Sequence, residues 1–161
     1  MILGIDPGQT GALALVDSEG EYLALWDMPV TERSSGKGKE VNAFLLADIV
    51  DEAATAASGQ GEALDVVIER VGAMPGQGVT SMFNFGRSLG VVEGVIASMG
   101  LPYRWALPNR WKRAQGLTGR DKDAARTVAI QRFPEARQEL TRKKDIGRAD
   151  ALLIAHYGAM E

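Results

Sequence analysis

Two short apolar runs in this chain each stop on an acid, and that pairing constrains the fold more than any other feature. Met1-Ile2-Leu3-Gly4-Ile5 ends at Asp6, and Leu64-Asp65-Val66-Val67-Ile68 ends at Glu69. Short aliphatic runs bounded by turn residues read as strands buried inside a sheet. If the two strand ends lie side by side, two carboxylates share one mouth of the sheet. Such a pair repels itself and protonates unless a cation lies between, so it points to a metal. Each acid also has a local explanation. Asp6 before Pro7-Gly8 suits a turn, and Glu69 has Arg70 beside it as a surface partner.

The first strand is followed by a Pro7-Gly8-Gln9-Thr10-Gly11 turn, a second strand at Ala12 to Val16, a turn at Ser18 to Glu21 and a third strand at Tyr22 to Met28. Tight turns between strands predict an antiparallel meander. Thr31 to Lys39 is polar and rich in Gly and Ser, which predicts a flexible loop. Val41, Phe44, Leu45, Ile49 and Ala53 recur at helical spacing and predict a helix over 41–57. After the Glu69 strand, a Gly/Pro-rich loop at Gly72 to Gly78 precedes a helix from Val79 to Met99 and a last strand at Tyr103 to Leu107. Further helices are expected from Asn109, over Asp121 to Phe133 and over Gly147 to Met160. The expected class is α/β: a mixed five-stranded sheet, an antiparallel meander plus parallel strands, flanked by helices in one domain over 1–161. Within the 79–99 helix, Gly86, Gly90 and Gly94 stand four apart and form a ridge. Each interior glycine costs roughly 1 kcal/mol against alanine, so close packing must offset it, either within the chain or against a second copy.

Composition narrows the chemistry. The chain has no cysteine and one histidine, His156, which excludes thiolate-held zinc and His-rich sites. A metal here must be a hard cation held by oxygen, such as Mg²⁺ or Mn²⁺. No apolar stretch approaches the roughly 20 residues that span a bilayer. Met1 to Ile5 runs into an acid without a basic region, so a cytoplasmic protein with no membrane partner is expected. The net charge of −3 hides a segregation: 12 Lys/Arg face four acids between Arg104 and Lys144, against six and 17 elsewhere. A basic sector on an acidic chain fits a polyanionic partner, though a solvated charged face has the same composition.

Two further acids stand near the C-terminus. Asp150 opens the apolar run Ala151 to Ala155, near a helix start where the dipole favours an anion. Asp145, five residues earlier, reaches the same side only from the preceding loop or cap, and Gly147 permits that break.

The blocks Ile2-Leu3-Gly4-Ile5-Asp6-Pro7-Gly8, Val67-Ile68-Glu69 and Gly147-Arg148-Ala149-Asp150-Ala151-Leu152 resemble the RuvC-type Holliday junction resolvases. Ser81-Met82-Phe83-Asn84-Phe85-Gly86-Arg87 and Pro108-Asn109-Arg110-Trp111-Lys112 resemble the short bacteriophage members in particular. The resemblance implies a ribonuclease H-like fold, a homodimer, and a Mg²⁺-dependent endonuclease that nicks two strands of a branched, four-way DNA junction symmetrically. It implies four metal-holding acids, which by position are Asp6, Glu69, Asp150 and, less regularly, Asp145. Bacterial relatives carry the fourth acid three residues before the last, where this chain has Gly147. A pair of cations about 4 Å apart would activate water and stabilise the leaving oxygen. Lys112, Arg113, Lys122, Lys143 and Lys144 would neutralise flanking phosphates without reading bases. The aromatic wedge that some bacterial members carry after the glutamate is absent, since this chain reads Gly72-Ala73-Met74 there.

Three other readings share some of these residues. The Asp6 turn also fits the phosphate-binding turn of sugar kinases and actin-like ATPases, but 161 residues do not supply their two domains, so no nucleotide cofactor is expected. A YqgF-like RNA-processing nuclease shares the turn but lacks the Phe83 to Arg87 block. A junction-binding protein that does not cut would have no need of the acids.

Overall fold

The computed structural model of the protein describes residues 1–34, 36–72, 76–121 and 123–161. Strands β1 (Ile2–Asp6), β2 (Ala12–Val16) and β3 (Tyr22–Asp27) form the expected antiparallel meander. β4 (Val30–Glu32) and β5 (Lys39–Val41) follow as a small hairpin, then helix α1 (Ala43–Gly59), β6 (Asp65–Glu69), α2 (Val79–Ser98), β7 (Tyr103–Ala106), α3 (Pro108–Ala114), α4 (Ala124–Arg132) and α5 (Ile146–Ala159). Two 3₁₀ segments, Pro134–Leu140 and Lys143–Asp145, link the last two helices. The main sheet has the order β3-β2-β1-β6-β7, with β1–β6 and β6–β7 parallel. It is the mixed five-stranded sheet that the strand pattern predicts.

The stretch expected to be a flexible loop is a correction. Its ends pair as β4 and β5, in the register Val30↔Val41, Thr31↔Glu40 and Glu32↔Lys39. Arg33 Nη2 donates to Asn84 Oδ1 at 2.6 Å and Arg87 meets Glu40 at 2.6 Å, so the hairpin is tied to α2. Helix α1 starts two residues later than its apolar spacing predicts. Asn42 caps it by accepting from the N–H groups of Phe44 and Leu45, at 3.1 and 3.2 Å.

The period of two along the strands sorts the core into two layers. Leu3, Ile5, Leu13, Leu15, Val66 and Ile68 face α1 and α2, where Leu46, Val50, Val92 and Ile96 are fully buried. Ile2, Ala14, Val16 and Val67 face the other way, against α5 and the helices around it. Asp6 shares the parity of Ile2 and Gly4, and Glu69 that of Val67, so both acids fall on the α5 side.

Two glycines set how closely α5 approaches. A Cβ on Gly4 would lie 2.4 Å from the Ala155 backbone N and 2.5 Å from the Ala151 carbonyl O, so α5 lies directly on β1. A Cβ on Gly147 would lie 2.3 Å from the Thr10 carbonyl O, so the first turn of α5 rests on the turn after Asp6. The ridge Gly86, Gly90 and Gly94 behaves differently. All three are exposed, and a Cβ on each would meet nothing within 4 Å among the described residues. Packing within the chain therefore does not account for it. Among the described residues no helix is long and apolar enough to cross a membrane.

Candidate metal and nucleic-acid site

The parallel pairing of β1 and β6 aligns Ile5 with Ile68, so the next residues, Asp6 and Glu69, emerge side by side at the same edge of the sheet. Asp150 comes from α5, seated over that edge by the close approaches at Gly4 and Gly147. The three carboxylates are near enough to act on one another. Burial and the Glu69 charge push Asp6 up to about 6, against the Gly8 N–H (3.3 Å from Oδ1) and Lys112. Burial and the charges of Asp6 and Glu69 push Asp150 up to about 7, with Lys112 opposing. Burial raises Glu69 as well, opposed by a hydrogen bond from Trp111 and by Lys112. Among the described residues, Lys112 is thus the cation that acts on all three acids.

A cleft of about 260 Å³ opens beside the acids, lined by Lys112, Leu117, Arg120, Asp121, Ile146 and Asp150. A second groove of about 510 Å³ lies along the Gly8-Gln9-Thr10 turn, with Thr80, Ser81, Asn84 and Phe85 of α2 on its other wall. The resembling block Ser81 to Arg87 therefore borders the acid-bearing turn. Nothing in its sequence context singles out Arg120; only the fold brings the loop after α3 to the cleft at Asp150.

Asp145 is not with the other three. It is buried, at 2% exposed, in a separate cleft with Gln9, Thr10, Gly11, Asp27 and Lys144. Its carboxylate accepts from the Arg142 backbone N–H at 2.7 Å and from Arg142 Nε at 3.0 Å, and Arg142 Nη2 lies at 2.8 Å. Burial disfavours its charge, yet the Arg142 hydrogen bonds outweigh burial and hold its pKa below the usual value. It precedes α5, but its side chain accepts no capping hydrogen bond from that helix. Gly147 cannot supply a fourth acid in its place, since a Cβ there would lie 2.3 Å from the Thr10 carbonyl O.

The donor set suits a hard divalent cation: it is oxygen-only, and its pKa values are raised first by burial and, at Asp6 and Asp150, also by neighbouring carboxylates, both of which a cation would offset. Among the described residues, no three acids or His stand close enough to hold an ion together as they are. Of the basic residues, Arg113, Lys143 and Lys144 are exposed and form no ion pair among the described residues. Lys122 lies outside the described residues. Part of the basic sector is internally neutralised: Arg104 pairs with Glu161, Arg126 with Asp123 and Arg142 with Asp145. His156 stands apart from the acids, 3.1 Å from Gln115 Nε2 and 3.0 Å from Arg132 Nη1. Trp111 is fully buried, and its indole N–H donates to Glu69 Oε1 at 3.0 Å. Forty-two residues separate the two, so only the fold reveals the contact.

Compared with known proteins, the chain is 36% identical over 161 residues to the chloroplastic Holliday junction resolvase MOC1 of Chlamydomonas reinhardtii. The match covers 88% of this chain and 18% of that protein, so the chain spans about a fifth of the relative's length. Among solved structures, Thermus thermophilus RuvC in complex with a Holliday junction substrate superposes with a TM-score of 0.66 at 19% identity, covering 99% of this chain and 94% of that one. A second structure of Thermus thermophilus RuvC gives a TM-score of 0.54, also at 19% identity, over 99% and 95% of the two chains. No model of a known protein family matches the chain. The sequence is related to that of a Holliday junction resolvase, and the fold is that of RuvC, a ribonuclease H-like fold.

Proposed function

We propose that this chain, with the fold of RuvC and sequence kinship to a Holliday junction resolvase, is a structure-selective endonuclease that resolves four-way DNA junctions by metal-dependent hydrolysis. The observation that carries the reading is the convergence of Asp6, Glu69 and Asp150 at one edge of the sheet, with their pKa values raised and Lys112 beside them. These three acids would hold the divalent cations, Mg²⁺ in the first place, with Mn²⁺ as a substitute and two ions per site. Bound there, the cations would supply Lewis-acid stabilisation of the phosphate charge and lower the pKa of water. Asp145 stays engaged with Arg142 and is left out of this ligand set.

The chain's own residues do the rest. Lys112 and Arg120 line the cleft at Asp150 and would bind the phosphates flanking the scissile one. The exposed Arg113, Lys143 and Lys144 would extend that contact along the backbone, with Lys122 as a further candidate. Paired nicking of a junction with two-fold symmetry requires two sites, so the working form would be a homodimer. The exposed glycine ridge of α2 supports this, because it offers a close-packing surface that the chain itself does not use.

The test is a panel of end-labelled substrates incubated with Mg²⁺ or with chelator: a synthetic four-way junction, a linear duplex of the same sequence and an RNA–DNA hybrid. Metal-dependent paired nicks on opposing strands of the junction, with the duplex spared, are expected. Cutting of the hybrid in preference to the junction would favour an RNA-directed nuclease. Tight junction binding with no cutting would favour a binding protein.

A further inference from the structure

Trp111 lies one turn into α3, a short helix that starts at Pro108 directly after β7. It is fully buried. Two contacts set it apart from a residue that only fills space. Its indole N–H donates to Glu69 Oε1 at 3.0 Å, and Lys112 Nζ sits 5.1 Å from the centroid of its ring. An indole is a donor only, so the bond runs one way and favours the ionised carboxylate. A buried N–H left without a partner is costly, so each group holds the other in place. The ring's negative face attracts the ammonium of the next residue. An anion and a cation of the site are therefore fastened to the same rigid plane, on an element that carries none of the acids.

We propose that Trp111 is a positioning residue for the acid site: its N–H fixes the Glu69 carboxylate, leaving Oε2 for a cation, while its ring face holds Lys112 beside the three acids. This rests on the reading of Asp6, Glu69 and Asp150 as a cation site. Groups that orient a metal ligand by hydrogen bonding typically change metal affinity by 10- to 100-fold when removed. Deleting the N–H should fall in that range.

The test compares Mn²⁺ binding, by calorimetry or by the electron paramagnetic resonance of free Mn²⁺, in the wild type, Glu69→Gln and Trp111→Phe. Trp111→Phe keeps an aromatic ring and removes the donor. Should it fail to fold cooperatively, benzothienylalanine at position 111, in which sulfur replaces the N–H, keeps the shape and deletes the bond alone. Mn²⁺ affinity should fall about tenfold or more in either form. For junction cleavage, kcat should fall with KM little changed, a split that loss of packing alone would not produce. Mn²⁺ binding within twofold of wild type in a folded Trp111 variant, while Glu69→Gln loses it, overturns the positioning role and leaves the cation site standing. Wild-type Mn²⁺ binding by Glu69→Gln overturns the cation site and this proposal together.

Discussion

Asp150→Asn should stabilise the metal-free protein at mildly alkaline pH, and the size of the gain follows from the acid cluster. The Asp150 carboxyl is raised from 3.8 to about 7 by burial and by Asp6 and Glu69. Between those values the folded chain keeps a proton that the unfolded chain has released. Stability therefore falls as pH rises through that window, and the loss is complete above it. A shift of this size corresponds to ~4 kcal/mol at about pH 8; because the three acids titrate together, ~2–4 kcal/mol is the expected gain on removing the charge. At about pH 4.5 the folded group is neutral in both proteins, and the difference should shrink to ~1 kcal/mol or less. Mg²⁺ at a hundredfold excess over its Kd should restore ~2.7 kcal/mol to the wild type and little to the variant. Urea unfolding in chelator at the two pH values, then with Mg²⁺, measures all three. A variant no more stable than wild type in chelator near pH 8, or equally favoured at both pH values, would refute the burial and repulsion that raise Asp150.

Gly147→Ala should destabilise the fold by several kcal/mol or shift α5 off the Asp6 turn, since its Cβ would meet the Thr10 carbonyl at 2.3 Å; a thermal melt checks it. Gly90→Leu has open space in the chain, so it should leave monomer stability equal or up to ~1 kcal/mol higher through helix propensity yet weaken the dimer. Sedimentation showing an unchanged dimer would remove α2 as the seam. Lys112→Ala should make the slope of log K against log salt shallower by about one for junction binding; because it also faces the three acids, it should slow cleavage beyond the loss in binding. An unchanged slope together with unchanged cleavage would leave Lys112 as a solvated surface charge.

The fold and the site are readable from sequence where they are written in local periodicity. The runs ending at Asp6 and Glu69 showed strands, and alternation along them placed both acids on one face once the strands were paired in parallel. The helical spacing around Phe44 to Ala53 likewise located α1. Long-range pairing was not readable. The Arg33–Asn84 and Arg87–Glu40 contacts that hold the β4–β5 hairpin join segments about 50 residues apart, so a Gly/Ser-rich stretch looked like a loose loop. The Trp111–Glu69 bond was hidden for the same reason. Asp145 joins the other acids only through the family resemblance, since its spacing from Asp150 allows a shared site only from a loop or cap. The deciding fact was local but conformational: a 3₁₀ turn sets Arg142 over its carboxylate. The Lys/Arg count between Arg104 and Lys144 likewise overstates the free basic surface, because Arg104, Arg126 and Arg142 already have acidic partners.

A shared fold does not by itself carry an activity, so the central claim rests on the acids. Its most direct measurement is single-turnover cleavage of a four-way junction by wild type, Asp6→Asn and Glu69→Gln in Mg²⁺, with binding of the same junction followed in Ca²⁺. Each variant should lose cleavage by about a thousandfold or more, a loss of ~4 kcal/mol in transition-state stabilisation, while binding the junction as tightly as wild type or more so. Near wild-type nicking by either variant would contradict the assignment of the strand-end acids.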